Sequence, residues 1–142
     1  MSDLSKHFKG EVMHQCLLKP FDFKYTYAVV VSGDFPNPCG HMLLSAGHYY
    51  FHVAGATDPP RYMLADAFPR YLKENDKIEI RRTYVRIPNP AGAHQKLEEL
   101  LATWWAWGML PHNCANFCEQ VVQAGGSKAG LYFNCPVAER FT

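Results

Sequence analysis

The sequence lacks several features that would narrow its function at once. No window approaches the run of about 18 apolar residues that a membrane-spanning helix requires, so no span is expected. The opening, MSDLSKHFKGEVMHQC, holds no apolar stretch of the kind that drives a secretory leader. Cytoplasmic synthesis is expected, with export to a target cell by a specialised secretion system as the other route. The formal net charge is +1 and no basic run is longer than Arg81-Arg82, which argues against nucleic acid as the main partner. Repeats, low-complexity tracts and linkers are all missing. The 142 residues therefore read as one domain, 1–142, and a chain near that size builds a core without disulfide staples.

Paired cysteine motifs are missing too. Five cysteines are an odd number, so at least one stays outside any intramolecular bridge, and without a leader reduced thiols are the default. Structural zinc sites show two matched pairs of close ligands, whereas only one loose pair is present, in HNCANFC at 112–118. His94 or Cys135 would have to complete such a site. A Cys114–Cys118 bridge is disfavoured, because side chains four apart on a helix lie beyond the required Cβ spacing. Cys118 is expected one turn into the core, and sequence assigns no partner to Cys16, Cys39 or Cys135. No metal and no cofactor are expected.

What is present falls into strands first and helices after. YTYAVVVSG at 25–33 is rich in β-branched and aromatic residues and stops at Ser-Gly, a strand. DFPNPCG is a loop, since its prolines exclude a regular ladder. HMLLSAGHYYFHVAG at 41–55 reads as a hairpin around Ala46-Gly47. DPPRYMLADAFPRYLKEND at 58–76 reads as a turn followed by irregular or short helical structure. KIEIRRTYVRIP at 77–88 alternates, with Ile78, Ile80, Tyr84 and Ile87 on the apolar side and room for a bulge, a half-buried strand. From Ala91 to Trp107 the period becomes helical through Leu97, Leu100, Leu101, Trp104 and Trp105. A second helix opens after Pro111 and ends at Gly125-Gly126, and LYFNCPVAERFT adds a possible last strand. The fold class is α+β, an antiparallel sheet with helices packed on one face.

Cys114 stands at the first turn of that second helix. A free thiol ionises near 8.5, and a helix N-terminus or neighbouring imidazolium pulls this to roughly 3.5–7.5. The unpaired N–H groups of the first turn favour negative charge and would also receive the oxyanion of a tetrahedral intermediate. The alternative is a small, buried, inert residue. The base would come from the hairpin. Side chains alternate along strands, so His41, Leu43 and Ser45 share one face, and Tyr50 and His52 share one face of the return strand. A turn near Gly47 sets His41 and His52 close to opposite each other. One would act as base and the other would orient it through its second ring nitrogen. His48, at the tip, meets solvent. A register slip of one residue would instead leave Asp58 or Asp66 to orient His41.

These residues resemble a family. A strand histidine and hairpin, His41 to Gly47, then His52, then Asn113-Cys114 with Phe117 opening a helix, is similar to the circularly permuted NlpC/P60 papain-like hydrolases, in particular the lecithin:retinol acyltransferase-like group. The resemblance covers roughly 25–126, and Ala115 and Asn116 stand where that group has a Glu-His pair. It implies a permuted papain-like fold with the nucleophile at a helix N-terminus. Cys114 would be the nucleophile, His41 the base and His52 the third residue. Backbone N–H groups supported by Asn113 would hold the oxyanion.

The function expected is a cysteine-dependent hydrolase or acyltransferase working through a thioester. A lipid or acyl ester is the leading substrate, approached by transient contact with a membrane surface. TWWAWG at 103–108 supports that order, since tryptophan suits headgroup depth. Trp104 and Trp105 point about 100° apart on a helix, so they do not share the centre of one stripe. With Tyr50 they are the candidate substrate-binding residues. The bland reading of the tryptophans is helix packing on the sheet. Two alternatives stay open: a peptidoglycan peptide amidase or endopeptidase, and a catalytically silent binding domain. An antibacterial effector with an immunity or delivery partner is compatible with the enzyme readings.

Overall fold

The computed structural model describes residues 8–12, 21–32, 40–53, 60–102 and 113–128, with backbone alone for 113–116. The strands are β1 (Glu11–Val12), β2 (Thr26–Val31), β3 (His41–Ala46), β4 (Tyr49–His52), β5 (Arg61–Leu64) and β6 (Glu79–Val85). They form one sheet in the order β1-β5-β4-β3-β2-β6, and every pairing is antiparallel. A 3-10 turn, Ala65–Ala67, leads into α1 (Phe68–Glu74). The longer helices are α2 (Pro90–Ala102) and α3 (Asn113–Ala124).

The two-residue period of the central strands divides the core into two layers. Ala28, Val30, Met42, Leu44, Ala46 and Phe51 face α2 and α3, meeting Leu97, Leu100, Leu101, Phe117, Cys118, Val121 and Val122. Val29, Val31, Leu43, Tyr50 and Met63 face the other way and are covered by Phe68 and Tyr71 of α1. All six residues of β3 are buried, as a central strand enclosed on both sides requires.

Three expectations are corrected by this arrangement. The helices do not share one face, because α1 packs opposite α2 and α3. Its cause is the i, i+3 pair Phe68 and Tyr71, which gives a seven-residue helix an apolar side of its own. Arg61–Leu64 is a strand rather than turn, because β4 still has an open edge for it to pair with. The third correction concerns β6 and its flanks, where Ile78, Ile80 and Tyr84 are 68%, 42% and 55% exposed while Val85 and Ile87 are buried. β6 is an edge strand, and α1 lies over the middle of the sheet and does not extend to it. The expected bulge appears as a register shift between β2 and β6 at Val30/Val31.

Candidate active site

The hairpin of β3 and β4 closes through Gly47 and His48, with Ala46 paired to Tyr49. Gly47 has φ of +66°, the left-handed value that a II′ turn needs at its first central position. Ser45 faces Tyr50 and Leu44 faces Phe51. Continuing that register sets Leu43 beside His52, so His52 lies diagonal to His41 rather than opposite it. Both imidazoles point to the α1 side of the sheet. Diagonal neighbours are within reach of long or aromatic side chains, and here the rings meet: His41 Nε2 lies 2.7 Å from His52 Nδ1. His48 is exposed at the tip, as expected.

The protons in this pair follow from its third member. His52 Nε2 lies 2.8 Å from the carbonyl oxygen of Lys9. A carbonyl only accepts, so Nε2 of His52 carries the hydrogen and donates it. In the neutral ring Nδ1 of His52 is then bare and accepts from Nε2–H of His41. His41, neutral and protonated at Nε2, presents a bare Nδ1. Among the described residues no side chain or carbonyl takes that nitrogen. The main chain at Lys9 thus fixes two tautomers in series and leaves one basic nitrogen open.

Burial keeps His41 neutral. Its pKa is held well below the ordinary 6.5, first by burial, then by His52 and by the charges of Lys77 and Lys9. Lys77 is held in place by its Nζ, which donates to the carbonyl of Ser32 at 3.0 Å. Ser32 follows Val31, the residue paired with His41 across the sheet. His52 is wholly buried, with the edge of its ring against Tyr71 at 5.2 Å between centroids and 77° between planes.

Cys114 is the second residue of α3. The direction of α3 is set at its other end. The Gly125 carbonyl accepts from Asn89 N–H at 2.8 Å, and a methyl on Gly125 would lie 2.6 Å from Ile87 Cγ2. Ile87 follows Val85, which pairs with Thr26, which pairs with Ala46. The C-terminus of α3 therefore sits at the Ala46 end of the sheet. Farther back, the Cys118 thiol donates to the carbonyl of Met42 at 4.0 Å. The helix runs parallel to β3, and Cys114, about 6 Å nearer the N-terminus than Cys118 along the axis, has its backbone at the His41 end. The body of α3 packs on the Met42 and Phe51 face, however, and the imidazoles lie on the other. Contact between thiol and imidazole has to pass around the end of β3, where His41 is the first residue.

The remaining expected site residues separate. Asn113 opens α3 and, like Cys114, is described by its backbone alone. Trp104 and Trp105 lie outside the described residues, as do Asp58, Cys16, Cys39 and Cys135. Asp66 is exposed in the 3-10 turn, leaving His52 as the described partner of His41. Tyr50 is a core residue: its ring stacks on Phe68 at 4.1 Å, and its hydroxyl accepts from Arg82 Nη2 at 2.6 Å. His94 packs edge-on to Phe23 and lies 3.4 Å from Glu98 on its own helix. No group of three or more His, Cys, Asp and Glu able to hold a metal occurs among the described residues, and no described helix is long and apolar enough to cross a membrane. Two participants escaped the sequence. Tyr71 carried a readable signal in its i, i+3 spacing from Phe68, whereas the carbonyl of Lys9 carried none.

Comparison with known proteins leaves the geometry to stand by itself: no protein-family model, curated protein or solved structure matches the chain.

Proposed function

We propose that this chain is a cysteine hydrolase or acyltransferase of permuted papain-like type, acting through a thioester on a lipid or acyl ester. The observation that carries the proposal is the buried series Lys9 carbonyl, His52, His41, which ends in a bare Nδ1 at the end of the sheet toward which the α3 N-terminus points. A neutral imidazole with one open nitrogen is what a thiol needs as general base. Nδ1 of His41 takes the Cys114 proton, and the thiolate adds to the acyl carbonyl. The N–H groups of the first turn of α3, with Asn113 in support, hold the oxyanion. The tetrahedral adduct collapses, the C–O bond to the leaving alcohol breaks, and the imidazolium returns the proton to that oxygen. Water or an acceptor hydroxyl then opens the thioester by the same route in reverse. His52 keeps the His41 ring in one tautomer and one direction throughout.

The rival is a silent binding domain, and it draws on the packing of α3 against the face opposite the imidazoles. A thiol-directed acylating probe separates the two. Cys114 should label in the wild-type protein and lose that labelling in His41→Ala; equal labelling of both would favour the silent domain. Incubation with phospholipid vesicles and, separately, with peptidoglycan identifies the substrate. Fatty acid release is expected, and peptide release alone would reassign the enzyme to amide cleavage.

A further inference from the structure

Strand β1 begins late. Gly10 has φ of +101°, and a Cβ there would lie 2.6 Å from the carbonyl oxygen of Tyr62, so ahead of Glu11 the chain leaves the edge of the sheet. β1 therefore covers Arg61 and Tyr62 of β5 and stops short of Met63 and Leu64. A cavity of about 360 Å³ occupies the gap, a size that suits a small ligand. It runs around the sheet edge. Tyr49 and Tyr62, with ring centroids 6.1 Å apart, line it on the α2 and α3 side, where Glu11 joins them as the cross-strand partner of Tyr62. Phe8 and Arg70 line it on the α1 side.

Three polar groups meet this cavity. The first is the Leu64 N–H. The next residue, Ala65, donates to the His48 carbonyl at 2.7 Å, and antiparallel ladders alternate, so the Leu64 N–H points away from β4. Among the described residues no group accepts from it. The Leu64 carbonyl caps the 3-10 turn, so the main chain offers a donor alone. The second group is the Arg70 guanidinium. Its Nε donates to Glu74, and its plane lies 4.4 Å from the centre of the Phe8 ring. Phe8 is tied down in turn, its N–H donating to Glu74 Oε1 at 2.9 Å and its carbonyl accepting from Asn75 Nδ2 at 2.6 Å. A guanidinium has five donors, so the fixed Arg70 still has its Nη groups to offer. The third group is the Glu11 carboxylate, exposed and with no cation paired to it among the described residues.

We propose that this cavity binds a small apolar zwitterion, an amino acid or dipeptide with a free ammonium and a free carboxylate. The carboxylate accepts from the Leu64 N–H and the Arg70 fork, the ammonium meets Glu11, and the side chains lie against Phe8, Tyr49 and Tyr62. A simple cation would leave both donors without an acceptor, and a simple anion would meet the Glu11 charge. Leu64 pairs with Tyr49, and Tyr49 with Ala46, at the opposite end of β3 from His41. The site is therefore separate from the proposed thiol chemistry and does not depend on it.

The test is an amide NMR titration of the full-length protein with L-leucine and with L-leucyl-L-leucine, each also in N-acetylated and in C-amidated form. The free ligands should shift the Leu64 and Tyr62 amides and saturate, and the tighter of the two identifies the source. Each blocked form should bind at least tenfold more weakly, the order expected for losing one charge-assisted contact. Glu11→Gln should abolish the difference between free and acetylated ligand, and Arg70→Gln that between free and amidated ligand. Leu64→Pro removes the N–H at a residue whose φ of −67° already suits proline, and should weaken binding roughly tenfold by the Tyr62 signal. Should that variant fail to fold, the two substitutions of exposed side chains decide. Cys114→Ala should bind as the wild type does. Absence of any shift at Leu64 and Tyr62, equal binding of free and blocked ligands, or loss of binding in Cys114→Ala would each overturn the proposal.

Discussion

At the scale of single residues the molecule turns on which atoms carry hydrogens. Under the proposed chemistry His41 and Cys114 act as a unit. His41→Ala and Cys114→Ala should each cut turnover by roughly a thousandfold or more, and the double variant should be little worse than either. His52→Ala should keep the fold and cost about 10- to 100-fold, because the base survives but loses its fixed direction. His48→Ala, altering only an exposed ring at the hairpin tip, should leave turnover unchanged. Steady-state kinetics on the five variants under one condition checks the ranking, and full activity in His52→Ala would remove it from the site. A second prediction concerns acid. The folded protein holds the His41 pKa well below 6.5, while the unfolded chain takes up a proton near that value. The unfolded state therefore binds more protons as pH falls, and stability from this group is fully present above about pH 6.5 and declines below it. The decline continues until the folded-state pKa is reached, at a slope of about 1.4 kcal/mol per pH unit for one proton. Denaturant titrations of wild type and His41→Gln across this range should differ by that slope, and parallel curves would show that His41 protonates freely in the native state.

Elements decide whether those residues meet. Phe117 anchors α3, fully buried and edge-on to Phe51 at 6.0 Å between centroids. Phe117→Ala should cost about 3–5 kcal/mol and slow Cys114 labelling as well, since the helix that carries the thiol loses its grip on β4. Gly47 holds the hairpin: its φ is left-handed, and a Cβ would lie 2.8 Å from Asp22 Cβ. Gly47→Ala should cost at least 1–2 kcal/mol, roughly the penalty of the left-handed region for an L residue. Thermal melts of both variants check these values. How much of this was readable beforehand varied with the kind of signal. Alternation within β3 and β4, together with the expected turn near Gly47 that sets their register, put His41 and His52 on one face from sequence alone. Helix α3 was readable through its breaker glycines. Arg61–Leu64 was not, since four residues after two prolines show no period long enough to recognise. The reversed exposure of Ile78, Ile80 and Tyr84 was hidden because alternation gives two faces without saying which is covered. The Lys9 carbonyl was invisible in principle, because every residue has one.

For the whole molecule, the order of the strands along the chain has a kinetic meaning. From β2 to β5 each strand lies beside the next, so that meander closes only short loops, while β6 must reach back across all of it to pair with β2. Helix α3 then needs the finished Met42 and Phe51 face to dock on. Pulse-labelled hydrogen exchange during refolding should find the β3–β4 amides protected before those of α3, and simultaneous protection would contradict this sequence of events. The ribosome imposes the same schedule, since His41 and His52 both emerge ahead of Cys114. Under the proposed chemistry the chain acquires its base before it has a nucleophile to activate. An unfinished molecule on the ribosome therefore carries no primed Cys114 thiolate open to acylation or oxidation, and that reactivity arrives only when α3 packs.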